Sequence, residues 1–417
     1  MERALINLGL NEDVRSRYVR KNTALLALAQ SSIWMTIGVF VAAGPIAIVR
    51  FSGRTGLGGL VFALWSVSVA VGAQLAGPLM DRFGRRPGLS LGQALLALAS
   101  ATAAISVLNG STVGVLASAV VGGLGSGAAL LGRAAVADMY PIERRGVAVG
   151  FMLAAGTIGA ILGPQLVQVT GLLTHSGRSS QLAAAWFITA AVSVVAFGCV
   201  AALRPDPRDL APPQRARPVT ARRPFASVLQ LPALRGAILA IVLAQLAMVG
   251  LMAVYSVALS ARGIAIGVIA LILSAHFSGM FALSPAWGVF LDRVGRRQGL
   301  LAAAALISAG ALIVGLPATA ISAAGLFLIG LGWSGSYLGA TAVVSDLTAP
   351  SERGTVLGFT DLLSSGAGAV GALTGGVILA SSGFEVAGLC GCVVLLGAFA
   401  LVVLVPRASW RAKLAST

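Results

Sequence analysis

Charge is scarce in this chain. Asp, Glu, Lys and Arg together make up 10% of its 417 residues, and aromatic rings only 6%. A soluble globular domain carries about a quarter charged residues, so an ordinary water-soluble fold is excluded. Histidine occurs twice and cysteine three times. Cys199, Cys390 and Cys392 all lie in apolar runs, with no His or acid at metal-ligand spacing. Neither a disulfide framework nor a metal site is therefore expected. His175 falls in a loop, so the few thiols and imidazoles leave no nucleophile–base set, and an enzyme is not expected. No G-x-x-x-x-G-K-[ST] run occurs, which excludes nucleotide as a partner, and no other cofactor is expected. Basic residues outnumber acidic ones 29 to 13. In a soluble chain that excess would suggest nucleic acid. Here the basic residues sit in short breaks between apolar runs and are not interleaved with aromatics, so no nucleic-acid partner is expected. Residues 1–21 are charged and lack a cleavable signal pattern.

What is abundant is apolar surface: 57% of the chain is hydrophobic, and the mean hydropathy is +0.93. A membrane-spanning helix needs about 20 mostly apolar residues. Runs of that kind cover 24–49, 57–80, 87–108, 112–138, 147–173, 182–203, 236–260, 264–291, 299–316, 320–346, 355–380 and 386–405. The reading is an all-α membrane protein with six spans in 1–203, a cytoplasmic linker over 204–235, and six spans in 236–417. The linker is rich in Pro and Arg, with Arg204, Arg208, Arg215, Arg217, Arg222, Arg223 and Arg235. With the N-terminus inside, 24 of the 29 basic residues face the cytoplasm. Only Arg50, Arg54, Arg178 and Arg262 face outward, and Arg133 falls inside a span. That bias places both termini in the cytoplasm.

The strongest motif is a ten-residue repeat. Gly77-Pro-Leu-Met-Asp81-Arg82-Phe83-Gly84-Arg85-Arg86 returns as Gly288-Val-Phe-Leu-Asp292-Arg293-Val294-Gly295-Arg296-Arg297. Each copy joins two apolar runs, so each half of the chain carries a charged hairpin at the membrane face, with glycine permitting the tight turn. A second echo pairs Asp138, Pro141, Glu143 and Gly146 with Asp346, Pro350, Glu352 and Gly354, and Gly163 matches Gly371. A duplicated membrane bundle is the reading. On these residues the chain resembles the major facilitator superfamily over nearly its whole length. The resemblance implies twelve helices in two pseudo-symmetric bundles, alternating access, a place in the inner membrane and a monomer. It also implies that Asp81 and Arg85 help to lock the two halves together on the cytoplasmic side. The acid would face the helix start near Gly354, where the dipole favours negative charge, while Arg85 pairs with Asp138. The mirror set is Asp292, Arg296 and Asp346, closing near Gly146. The simpler alternative is that these arginines only enforce topology. The fold does not imply a substrate.

Span 5 carries Gly159-Ala-Ile-Leu-Gly163-Pro164. This run resembles the Gly-Pro motif of drug and proton antiporters, with Val167 and Gln168 where that motif has glycines. Read physically, the glycines allow close packing, expected against span 8, and Pro164 kinks the helix. Ordinary packing and an antiport marker both remain open. The antiporters' span-4 arginine is missing, since position 119 is Ala.

Ionisable groups inside a membrane are costly and are functional candidates by default. Arg133 and Asp361 lie at matching depth, about 10 Å from the cytoplasmic side at 1.5 Å per residue. They carry opposite signs, and one belongs to each half. The expectation is a pair that closes the cytoplasmic gate and, if Asp361 protonates when freed, couples transport to protons. Permanent pairing of each charge within its own half is the alternative. His276 sits at the middle of span 8 between Ser274 and Ser278, either as a proton carrier or as a neutral imidazole bonded to a serine. By the resemblance, Gln30, Trp34, Gln165, Gln245, Tyr255, Trp333 and Tyr337 are among the polar and aromatic residues expected to line a substrate cavity. That mixture suits an amphipathic organic molecule. The leading expectation is a secondary active, proton-coupled exporter of small organic molecules. The alternative is an importer or uniporter of a metabolite or organic anion with Arg133 as counter-charge.

Overall fold

A computed structural model describes residues 12–173, 177–212 and 223–410. His175, Arg215, Arg217 and Arg222 lie outside them. The described residues are mostly helical, with no strand among them. The long helices are α1 (Glu12–Ser52), α2 (Thr55–Phe83), α3 (Arg85–Leu108), α4 (Thr112–Met139), α5 (Ile142–Leu173) and α6 (Arg178–Ala201). They continue as α7 (Pro232–Ala261), α8 (Ile266–Val294), α9 (Arg296–Val314), α10 (Thr319–Leu347) and α11 (Pro350–Leu404).

All eleven of these contain a stretch long and apolar enough to cross a membrane. The twelfth expected span is present within α11. Its 55 residues are interrupted at Gly383, whose φ of +86° is open to glycine and strained for other residues. The two limbs match the runs expected at 355–380 and 386–405. Two other helices are broken where the sequence predicts continuity. In α4 the regular turns end at Leu130 and resume at Gly132. In α8 they end at Phe281 and resume at Ser284, ahead of Pro285.

The chain divides into two compact units, one of residues 12–51 and 64–212, the other of 52–63 and 223–410. Each unit brings two helices together through glycine. In the first, a Cβ on Gly38 of α1 would stand 3.0 Å from the Cα of Gly163 and 2.7 Å from the Pro164 ring on α5. In the second, a Cβ on Gly250 of α7 would stand 2.8 Å from the Gly371 carbonyl oxygen on α11. Gly159 lies on the same α1 surface, where an added methyl would fall on the Ser31 carbonyl. Lipid is as apolar as leucine, so helices in a membrane associate by such close backbone packing. Within their own unit, Gly159 and Gly163 pack against α1, a partner that the sequence did not indicate. A small-residue stripe shows that a face is flat without showing which helix covers it.

Candidate functional site

Each repeated hairpin folds into the same charge triad. Gly84, at φ +94°, turns the chain from α2 into α3. Arg85 then opens α3 with its guanidinium between two acids. Its Nη1 donates to Asp81 at 3.0 Å and its Nε to Asp138 at 2.9 Å. In the second unit Gly295 has φ +89°. Arg296 donates to Asp292 at 2.7 Å and to Asp346 at 2.9 Å. The planar guanidinium holds two carboxylates in fixed directions, which a lysine ammonium cannot do. The i,i+4 acid remains largely in solvent in both copies, with Asp81 74% exposed and Asp292 73%. Gly77 and Gly288 have open space where a Cβ would stand.

Residues that the sequence reading did not single out complete the hairpin ends of the bundles. The start of α3 has backbone N–H groups without partners in its own helix, as every helix start does. Asp206, just after α6, accepts from the N–H of Arg85 at 3.0 Å and of Arg86 at 2.9 Å. Arg208 donates to the Asp81 carbonyl at 2.8 Å. Burial, and then the neighbouring Asp206 charge, push the Asp209 carboxyl up from its usual value. From the start of α1, Arg15 donates to the carbonyls of Met139 (3.2 Å) and Leu210 (2.8 Å). Beneath these bonds lies an apolar cluster that includes Val19, Met80, Leu89, Met139, Leu203 and Leu210.

Arg223 does the corresponding work in the second unit. It donates to the Leu347 carbonyl at 2.9 Å, and it holds Glu352 through its backbone N–H, Nε and Nη2 at 2.9, 3.1 and 2.8 Å. Glu352 also accepts from the Ala349 N–H at 3.0 Å, capping the start of α11. This bonding raises the Arg223 guanidinium above its usual range. Arg15 and Arg223 are 208 positions apart, as are the Met139 and Leu347 carbonyls they hold. A weak motif match hid this pair, but a constant offset of 208 was the signal that could have revealed it.

The intramembrane candidates are placed as follows. Arg133 lies just after the break in α4, and its Nε donates to the Leu130 carbonyl at 3.3 Å. Asp361 is exposed on α11, in the other unit. His276 is fully buried. Its Nδ1 meets the Leu326 carbonyl of α10 at 2.7 Å, so its partner is a backbone oxygen rather than a serine.

The expected cavity residues separate into two groups. Gln30 and Tyr255 are sealed inside their own units. Tyr255 bonds to Ser322 at 3.1 Å and packs edge-on against Phe384. Gln30 shares a space of about 10 Å³ with Gln93, Leu26 and Met152, roughly the room one water takes. The reason is general: a polar tip in an apolar helix is as often satisfied inside the bundle as directed into a cavity. Trp34 and Gln165 are half-buried on α1 and α5. Gln245, Trp333 and Tyr337 are half-buried and come together. The Trp333 Nε1–H donates to Gln245 Oε1 at 2.5 Å, and Tyr337 stacks on Trp333 with ring centroids 5.3 Å apart at 16°.

Repeated helical bundles, duplicated charge triads and a polar aromatic cluster on membrane-length helices define a multi-pass membrane transporter rather than an enzyme. The Major Facilitator Superfamily model matches residues 26–264 and 237–416, and the chain belongs to that family. An uncharacterised MFS-type transporter of Bacillus subtilis, YddS, is 28% identical over 407 residues, covering 95% of this chain and 92% of its own. The riboflavin transporter RfnT of Brucella anthropi is 27% identical, over 88% of this chain and 91% of its own. Among solved structures, a bacterial homolog of the human lysosomal transporter Spinster, inward-facing and unoccupied, superposes with a TM-score of 0.72. It covers 96% of this chain and 99% of its own at 16% identity, a likeness of fold alone.

Proposed function

We propose that the chain is a secondary active transporter that exports small amphipathic organic molecules across the cytoplasmic membrane in exchange for protons. It works as a monomer with both termini inside. The observation that carries alternating access is the pair of equal charge triads on Arg85 and Arg296. In the proposed cycle the exposed acids, Asp81 and Asp292, alternate between their arginine and the positively polarised start of a helix in the other repeat, near Gly354 and Gly146 respectively. Proton coupling falls to Asp361, with Arg133 as its opposite charge. His276 is a tie between α8 and α10 in this scheme, since its Nδ1 is committed to a carbonyl.

The test is proton flux in proteoliposomes with a pH-sensitive dye inside, challenged with lipophilic cations, neutral drugs and organic anions. The expected result is a dye response that Asp361→Asn abolishes. Silence across the panel while labelled substrate still equilibrates would overturn proton coupling. A second reading, an importer or uniporter of a metabolite or organic anion with Arg133 as counter-charge, draws support from the relative named a riboflavin transporter. In that case Arg133→Gln abolishes uptake, and Asp361→Asn does not.

A further inference from the structure

Three helices of the second unit each bring an uncharged side chain to the same place at mid-length. Trp333 is the fifteenth residue of the 29-residue α10. Gln245 is the fourteenth residue of the 30-residue α7. Phe281 closes the first segment of α8, immediately before its break. The middle of a membrane helix is where secondary transporters hold their cargo, and interrupted helices are what they build the site from. Irregular backbone at that depth is tolerated only where it is buried in protein or lines a cavity.

The indole of Trp333 is fixed on several sides. Tyr337 stacks on it at 5.3 Å, Phe281 meets it edge-on at 6.3 Å, and its N–H is tied to Gln245. A tryptophan N–H only donates, so Gln245 must offer its oxygen to it. The amide orientation is thereby determined, and the Gln245 Nε2, with two donor hydrogens, is left for another partner. All four side chains are half-buried, whereas Tyr255 and Trp287 of the same helices are sealed in the core.

We propose that Gln245, Phe281, Trp333 and Tyr337 form the seat for a planar, uncharged heterocycle whose edge accepts a hydrogen bond. The flat rings supply area for offset stacking against a planar ligand. The Gln245 Nε2 reads a carbonyl or ring nitrogen on the ligand's edge. A bulky, non-planar cation gains neither contact. This deepens the transport reading and rests on it.

The probe is lumiflavin, a neutral tricycle with two ring carbonyls, titrated into the purified full-length protein and followed by flavin fluorescence. Binding is expected, and tetraphenylphosphonium should not displace the probe. Trp333→Leu and Gln245→Leu should each weaken binding at least tenfold, and Trp333→Phe, which keeps a ring but releases the amide, by less. Thermal unfolding of each variant separates lost binding from lost folding. No lumiflavin binding by wild type, or variants that bind within twofold of it, overturns the seat. Proton flux with the same preparations keeps the two readings apart. Flux driven by a non-planar compound without lumiflavin binding sinks the seat and leaves the transporter. Lumiflavin binding that the variants lose supports the seat whatever the flux.

Discussion

Arg85 shows how much one side chain holds at the hairpin. It joins residues on three helices through two carboxylates. Arg85→Ala should cost about 1–3 kcal/mol of stability, because both acids lose a charge-assisted bond. Arg85→Lys should recover less than half, since an ammonium lacks the rigid planar fork that holds both carboxylates in fixed directions. Thermal unfolding in detergent reads both values. Gln30 makes the opposite case. Its amide is buried, and both polar atoms lack a hydrogen-bond partner among the described residues. Gln30→Leu should therefore raise stability, by about 1 kcal/mol. A loss instead would show that a bound water satisfies the amide. Asp209 is legible through its titration. A carboxyl raised above its unfolded value of 3.8 favours the folded state below that pH and costs stability as the pH rises through the raised value. Asp209→Asn should be slightly more stable than wild type at neutral pH, with the difference closing toward about pH 3.

At the scale of elements, glycine decides which helices touch. Gly159→Val would drive a branched side chain into the Ser31 carbonyl, and overpacking of this kind costs about 1–3 kcal/mol. A variant as stable as wild type would mean that α1 and α5 separate readily. The sequence made each apolar span legible, because periodicity and length are local properties. It did not show that α4 and α8 break, since Leu131 and Leu283 look like their neighbours. Nor did it show what covers Tyr255. That depends on Ser322, 67 positions away, which only the packing of α7 against α10 brings near. Gly383 could be read as a turn between two apolar runs, and it is one.

For the whole molecule, the repeat was the legible feature, and it reaches further than the decapeptide. Asp81→Asn and Asp292→Asn should slow transport to similar degrees without reducing the amount of folded protein, if the two triads are equivalent. Vesicle flux and size-exclusion yield measure the two quantities, and a loss confined to one variant would show that only one hairpin gates. What remained hidden were contacts that close only in three dimensions. Arg15 meets Met139 across 124 positions, and Asp206 meets Arg85 across 121.

The 208-residue offset between Arg15 and Arg223 carries a consequence for the linker. The start of α1 and the segment before α7 are counterparts, each fastening the hairpin end of its own bundle. The linker is thus two borders meeting, the last stitches of one repeat followed by the first of the next. A chain severed after residue 217 leaves Asp206 and Arg208 with the first piece and the Arg223–Glu352 pair with the second. Co-expressed, the two pieces should restore transport together, the first also supplying residues 52–63 of the second unit, as two genes standing for one.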